Sequence, residues 1–106
     1  MGIFDFFKRA DIDQGVEDCW STSGSVLLDV RTREEYAQGR VPHSRNLPLQ
    51  EIGRADEEIP DRGTPLFVYC LSGARSRQAA AVLQSMGFDN ITNIGGISEY
   101  RGVMEG

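Results

Sequence analysis

Residues 66–86 read LFVYCLSGARSRQAAAVLQSM, and this stretch decides the fold. Leu66-Phe67-Val68-Tyr69 is a short, continuous apolar run, and Gly63-Thr64-Pro65 just before it breaks regular structure. Such a run predicts a strand buried on both faces, as in a parallel sheet. The strand ends at Cys70, and a loop of mostly small residues follows, Leu71-Ser72-Gly73-Ala74. Arg75 to Met86 then predicts a helix, with Ala79, Ala80, Ala81, Val82, Leu83 and Met86 on its apolar face and Gly87 as its stop.

The position of Cys70 between a strand end and a helix start has a chemical consequence. The first turn of a helix leaves backbone N–H groups unpaired, and the macrodipole adds partial positive charge there. A loop curling around the sulfur aims further amides at it, forming an anion nest. Arg75 adds a full positive charge, and Gly73 allows the positive φ and close backbone approach that such a loop needs. All of these favour the thiolate, so Cys70 is expected to be a nucleophile with a depressed pKa in an open cleft. The plainer alternative is a buried cysteine acting as a small hydrophobe.

The segment Val68-Tyr69-Cys70-Leu71-Ser72-Gly73-Ala74-Arg75-Ser76, followed by Ala79-Ala80, resembles the active-site loop of rhodanese-like sulfurtransferases. Leu28-Asp29-Val30-Arg31 with Glu35-Tyr36 and Gly39 resembles that family's first signature. Val41-Pro42 with Asn46-Leu47-Pro48 resembles the second, and Gly95-Gly96 with Tyr100 the last. Each motif alone is weak; four in the right order, from Asp11 to Gly102, are specific. Arg40, His43 and Tyr100 stand where the family usually has histidine, glycine and tryptophan. The resemblance implies an α/β domain of three α/β/α layers, the rhodanese-like fold, with a mainly parallel central sheet. It implies Cys70 as catalytic residue and the loop Leu71, Ser72, Gly73, Ala74 and Arg75 as substrate-binding, with Asp29, Arg31 and Ser76 in support.

The bulk properties agree. A chain of 106 residues is one domain, long enough to bury a core without disulfides or metal. A net charge of −5 with scattered basic residues argues against nucleic-acid binding. Two cysteines and no secretory signal predict a reducing, cytoplasmic setting. No apolar run reaches membrane-spanning length. No cysteine or histidine spacing suggests a metal, and no cofactor is expected.

Residues 1–10, MGIFDFFKRA, form an N-terminal extension, a short helix or a flexible segment, before the domain over 11–106. Ile3, Phe4 and Phe7 fit one helical face, whereas Lys8 and Arg9 are thin charge for a membrane anchor and Phe6 spoils a myristoylation signal. A strand residue or two near Ile12 is expected, then a helix capped by Asp13, with Val16, Cys19 and Trp20 inward. Cys19 is then a packing residue; a resolving-thiol role would require it to lie near Cys70. Val26–Val30 predicts a strand, with Asp29 and Arg31 at its carboxyl end as a bracing ion pair or as substrate contacts. Thr32-Arg33-Glu34-Glu35 predicts a capping box opening a helix to about Gln38, closed by Gly39. His43, the only histidine, suits a turn with positive φ. A short strand near Arg45-Asn46-Leu47, a short helix from Leu49 and a solvated charged connection over 54–63 are expected next. Ile91–Ile94 is the last strand, and Gly95-Gly96 is expected to turn into a final helix over Ile97–Met104.

The expected activity is sulfur transfer through a Cys70 persulfide, from a small donor such as thiosulfate to cyanide, a cellular thiol or a thiol-bearing partner protein. A monomer without nucleic-acid or membrane partners is expected. A cysteine phosphatase or arsenate reductase is one alternative, and a non-catalytic rhodanese-like interaction module is another. Phosphatases of related architecture place five residues between cysteine and arginine, whereas this loop, C-L-S-G-A-R, has four. The tighter ring suits one added sulfur better than a tetrahedral phosphoryl group.

Overall fold

In the computed structural model, residues 11–106 are described; the extension over residues 1–10 lies outside the described residues. Four short strands form one sheet: β1 (Val26–Asp29), β2 (Ser44–Asn46), β3 (Leu66–Cys70) and β4 (Ile91–Gly96). Their order is β2-β1-β3-β4, and every pairing is parallel. β3 is central and buried along its whole length, which explains why its sequence lacks polar alternation. Successive side chains of a strand point to opposite faces, so β3 feeds two cores.

On one face Leu66, Val68 and Cys70 pack with Leu28, Val30, Ile52, Ala55, Ala79, Leu83 and Phe88. This face is covered by α4 (Ala74–Ser85), by a 3-10 helix (Leu49–Arg54) and by α3 (Ala55–Glu58), which continues it. On the other face Phe67 and Tyr69 pack with Leu27, Val41, Ile94, Ile97 and the Ile12, Val16 and Cys19 side chains of α1 (Ile12–Trp20). The result is the three-layer arrangement expected. Burying each Val, Leu, Ile or Phe of these cores contributes roughly 1.5–3 kcal/mol before conformational entropy is charged against it.

Strand order places the site. From β1 the chain crosses through α2 (Arg33–Gln38) to β2 on one side; from β3 it crosses through α4 to β4 on the other. The crevice between the carboxyl ends of β1 and β3 is therefore the point where the winding reverses, the place where open α/β sheets bind ligands. Asp29 ends β1 there and Cys70 ends β3.

Several local expectations hold. Thr32 and Glu35 form the reciprocal capping box of α2, and Gly39 ends that helix. His43 sits at φ 66°, as the glycine usual at this family position implies. Arg40 lies over the Tyr36 ring at 4.9 Å and pairs in an antiparallel bridge with Glu105. The Tyr100 hydroxyl donates to the Val103 carbonyl at 3.2 Å. Gly87, at φ 99°, ends α4, with the Phe88 N–H bonded back to the Leu83 carbonyl.

Other expectations are corrected. No strand forms at Ile12; the helix starts there, and Asp11 rather than Asp13 caps it by accepting from the Gln14 N–H. Asp13 instead accepts from the Arg101 N–H across the fold. Trp20 is 49% exposed, its ring edge-on to His43, because it lies on the flank of the α1 stripe that buries Ile12, Val16 and Cys19. Ala81 and Val82 are exposed, and α4 buries a narrower stripe of Ser76, Ala79 and Leu83. The charged connection contains α3, whose Ala55 is buried, followed by buried Ile59. Gly95 and Gly96 belong to β4, and only a single 3-10 turn, Ile97–Glu99, follows where a helix to Met104 was expected.

Candidate active site

Gly73 stands at the N-cap of α4 with φ 103°, and no side chain caps this helix. The Cys70 sulfur takes that role. Its Sγ accepts the Gly73 N–H at 3.0 Å, and the thiol donates to the Ser76 hydroxyl oxygen 3.5 Å away; the Ser72 and Ser76 amides further favour the thiolate. Donors that helix geometry leaves unpaired thus converge on one sulfur. Burial pushes the Cys70 thiol up, but these hydrogen bonds outweigh it and hold the thiol below its ordinary value. The expectation of a nest is met. The expectation of an open cleft is not, since Cys70 is 1% exposed. The sulfur lies under its loop, beside a groove of about 460 Å³ lined by Ser72, Gly73, Arg77, Asn93, Gly95, Gly96 and Glu99. A larger depression, about 640 Å³, lies on the outer side of α4 around Ala80, Ala81 and Phe88, away from the sulfur.

The loop is held from three directions. Behind it stands Gly96, where a Cβ would come within 2.6 Å of Ser72 Cα and closer still to the Leu71 carbonyl; only glycine allows this approach. The Leu71 carbonyl accepts the Ser98 N–H at 3.1 Å. At the head of α4, Arg75 makes a two-pronged ion pair with Glu35, at 2.7 and 3.0 Å. Arg75 therefore braces the loop against α2 rather than lying bare beside the sulfur, although its field still reaches Cys70. The Arg75 guanidinium holds the Glu35 carboxyl at about 2, against an ordinary 4.5.

Leu71, Ser72 and Ala74 are exposed along the loop, whereas Ser76 is buried behind it. Asp29 and Arg31 form an ion pair that is 0% and 5% exposed. Both Asp29 oxygens accept from the Arg31 side chain, and Arg31 also donates to the Gly39 carbonyl at 2.6 Å. Arg31 lies 5.9 Å from the Tyr69 ring centroid, on the sheet face opposite Cys70. None of these bonds reaches the cysteine loop, so the pair has the geometry of a brace. Cys19 also packs on the Tyr69 face, with the sheet between it and Cys70. Burial raises the Cys19 thiol, partly offset by its hydrogen bond to Ser25, and both cysteines are free. Among the described residues no cluster of His, Cys, Asp or Glu could hold a metal, and no helix is long and apolar enough to cross a membrane.

Two residues of the site escaped the sequence reading. Glu35 was legible as a cap, but its partner Arg75 is 40 positions away. Asn93 accepts from the Ser76 hydroxyl at 2.7 Å and from the Gly95 N–H at 3.1 Å. The Asn-x-Gly spacing signals a local side-chain turn, but nothing in it points to Ser76.

Comparison with known proteins follows the same lines. A sulfurtransferase of Allochromatium vinosum is 40% identical over 75 residues, 71% of this chain and 69% of the relative. Thiosulfate sulfurtransferase PspE of Escherichia coli is 37% identical over 73 residues, 68% of this chain and 70% of the relative. Among solved structures, one described as a rhodanese with anions from E. coli superposes with a TM-score of 0.71 at 33% identity, covering 76% of this chain and 96% of that one. The family description "Rhodanese-like domain" matches residues 10–102. That span runs from the first helix to beyond the turn after β4 and takes in Cys70 with its whole loop, so the chain belongs to the rhodanese-like domain family.

Proposed function

We propose that this protein is a thiosulfate sulfurtransferase that carries sulfur as a Cys70 persulfide. The observation that carries the reading is the sulfur itself: a cysteine at the head of α4, ringed by amides and the Ser76 hydroxyl, with its thiol held below the ordinary value. Similarity to proteins named sulfurtransferase supports the reaction class.

The Cys70 thiolate attacks the outer sulfur of thiosulfate. A new S–S bond forms at Sγ, the donor S–S bond breaks, and its electron pair leaves on sulfite. The loop amides from Leu71 to Arg75 hold the anionic persulfide, a role supported by the Gly73 N–H that already donates to Sγ. A thiophilic acceptor, cyanide or the thiol of a small molecule or partner protein, then attacks the outer sulfur, and the Sγ–S bond returns its electrons to Cys70. Two displacements replace one, so ping-pong kinetics are expected. The step consumes no cofactor. A reducing compartment, the cytoplasm, keeps Cys70 available as a thiolate.

Intact-protein mass spectrometry tests the reading. Incubation with thiosulfate is expected to add one sulfur atom, and cyanide to remove it; Cys70→Ala is expected to abolish both while remaining folded. A protein that gains no sulfur, or a Cys70→Ala variant that keeps turning over, would overturn it.

A further inference from the structure

Ser76 has one hydroxyl proton and two acceptors for it, Asn93 Oδ1 at 2.7 Å and the Gly73 carbonyl at 3.0 Å. The Cys70 thiol, 3.5 Å away, donates to the Ser76 oxygen. The Gly95 N–H also donates to the Asn93 atom that faces Ser76, which identifies that atom as the carbonyl oxygen and the Ser76 hydroxyl as the donor. A thiol or persulfide sulfur at Cys70 is neutral at Sγ and leaves the hydroxyl free to stay on Asn93. A thiolate has no proton of its own and can only accept.

We propose that Asn93 is a positioning residue: its side-chain oxygen holds the Ser76 proton while Sγ is neutral and yields it to the sulfur as the thiolate emerges. The inference rests on Cys70 being the sulfur-carrying nucleophile. When the acceptor takes the outer sulfur, the Sγ–S bond breaks and its electron pair settles on Sγ. The Ser76 hydroxyl turns from Asn93 toward that charge; no proton leaves the serine. When Sγ attacks a new donor its charge passes outward, and the hydroxyl turns back. A competing acceptor at 2.7 Å thus keeps the donor from stabilising the thiolate so strongly that it loses nucleophilicity. The bulge in β4 makes this possible. Val68 pairs with Asn93 but Tyr69 pairs with Gly95, so one extra residue re-aims the strand where Asn93 meets α4.

The charged groups around the sulfur are left in place by the test. They are Arg75 of α4 with Glu35 of α2, and Arg77 and Glu99 beside the groove; the Asp29–Arg31 pair at the end of β1 lies on the opposite face of the sheet. The measurement is the iodoacetamide alkylation rate of Cys70 against pH in a Cys19→Ser background, so one thiol reports. It needs no sulfur transfer, so it can fail or succeed independently of the persulfide reading. Asn93→Ala is expected to lower the alkylation midpoint by about half a pH unit, because the freed hydroxyl turns to Sγ, with the Gly73 carbonyl as remaining competitor. Asn93→Asp keeps both acceptor bonds and is expected to raise it, since a carboxylate grips the Ser76 proton harder and repels the thiolate. In a Ser76→Ala background the Asn93→Ala shift is expected to vanish, whereas a purely structural effect of loosening the β4 bulge would persist. An Asn93→Ala midpoint that rises or does not move, the same sign of shift in both variants, or a shift that survives without Ser76 would overturn the proposal.

Discussion

Removing the charge of Glu35 is expected to weaken the fold by about 1–2 kcal/mol at neutral pH, and the loss is expected to fade in acid. Glu35 joins two distant pieces of chain. One oxygen accepts the Thr32 N–H at 2.9 Å within the capping box, and both meet the Arg75 guanidinium. With the folded carboxyl at about 2 against an ordinary 4.5, linkage sets a ceiling of about 3.4 kcal/mol at roughly 1.4 kcal/mol per pH unit. The side chains of Glu35 and Arg75 are 29% and 32% exposed, so solvent and salt screen the pair and roughly half of that ceiling is expected to survive. Because the folded pKa is depressed, this stabilisation is fully present above about 4.5 and is lost as pH falls toward 2. Glu35→Gln keeps an acceptor for Thr32 but removes the charge and one of the two oxygens that accept from Arg75. Urea unfolding of both proteins, followed by circular dichroism at intervals from pH 7 to pH 2.5, is expected to show a gap that closes between those limits. Equal stabilities at pH 7, or a gap that stays constant with pH, would refute the argument that Arg75 is a structural clamp.

Asp29→Asn leaves the Arg31 guanidinium buried without its counter-charge and is expected to cost about 3–5 kcal/mol in urea unfolding; a cost below about 1 kcal/mol would show that Arg31 finds water. Cys19 is expected to react with iodoacetamide slowly in the folded protein and quickly in urea, and Cys19→Ser to leave turnover largely intact, since the sheet separates the two thiols. A collapse of turnover in a folded Cys19→Ser protein would favour a resolving-thiol mechanism. Hydrolysis of an aryl phosphate is expected to be negligible, because the six-residue ring from Cys70 to Arg75 is tight and its exposed members offer no general acid. Efficient phosphate release by a protein that never gains sulfur would replace the sulfurtransferase reading.

What the sequence determined by itself was local in nature. The buried strand Leu66–Cys70, the helix that follows and its glycine stop were legible because their signals lie within a few residues of one another. The same holds for the Thr32–Glu35 capping box and for the positive φ of His43. Cys70 was identifiable because a sulfur between a strand end and a helix start inherits that helix's unpaired amides, whatever surrounds it. The errors of burial have one cause. Which flank of a helix is buried depends on the layer it meets, so Trp20, Ala81 and Val82 were expected inside and lie outside, while Ala55 and Ile59 in a charged stretch lie inside. Gly95-Gly96 looked like a turn because glycine usually breaks strands; here the loop of Leu71 and Ser72 needs backbone without side chains beside it. Only the tertiary structure brought Glu35 to Arg75 and Asn93 to Ser76, pairs 40 and 17 residues apart. No periodicity encodes such contacts, because they follow from strand order. With β1 beside β3 and β3 beside β4, residues from α2, α4 and β4 gather around one sulfur.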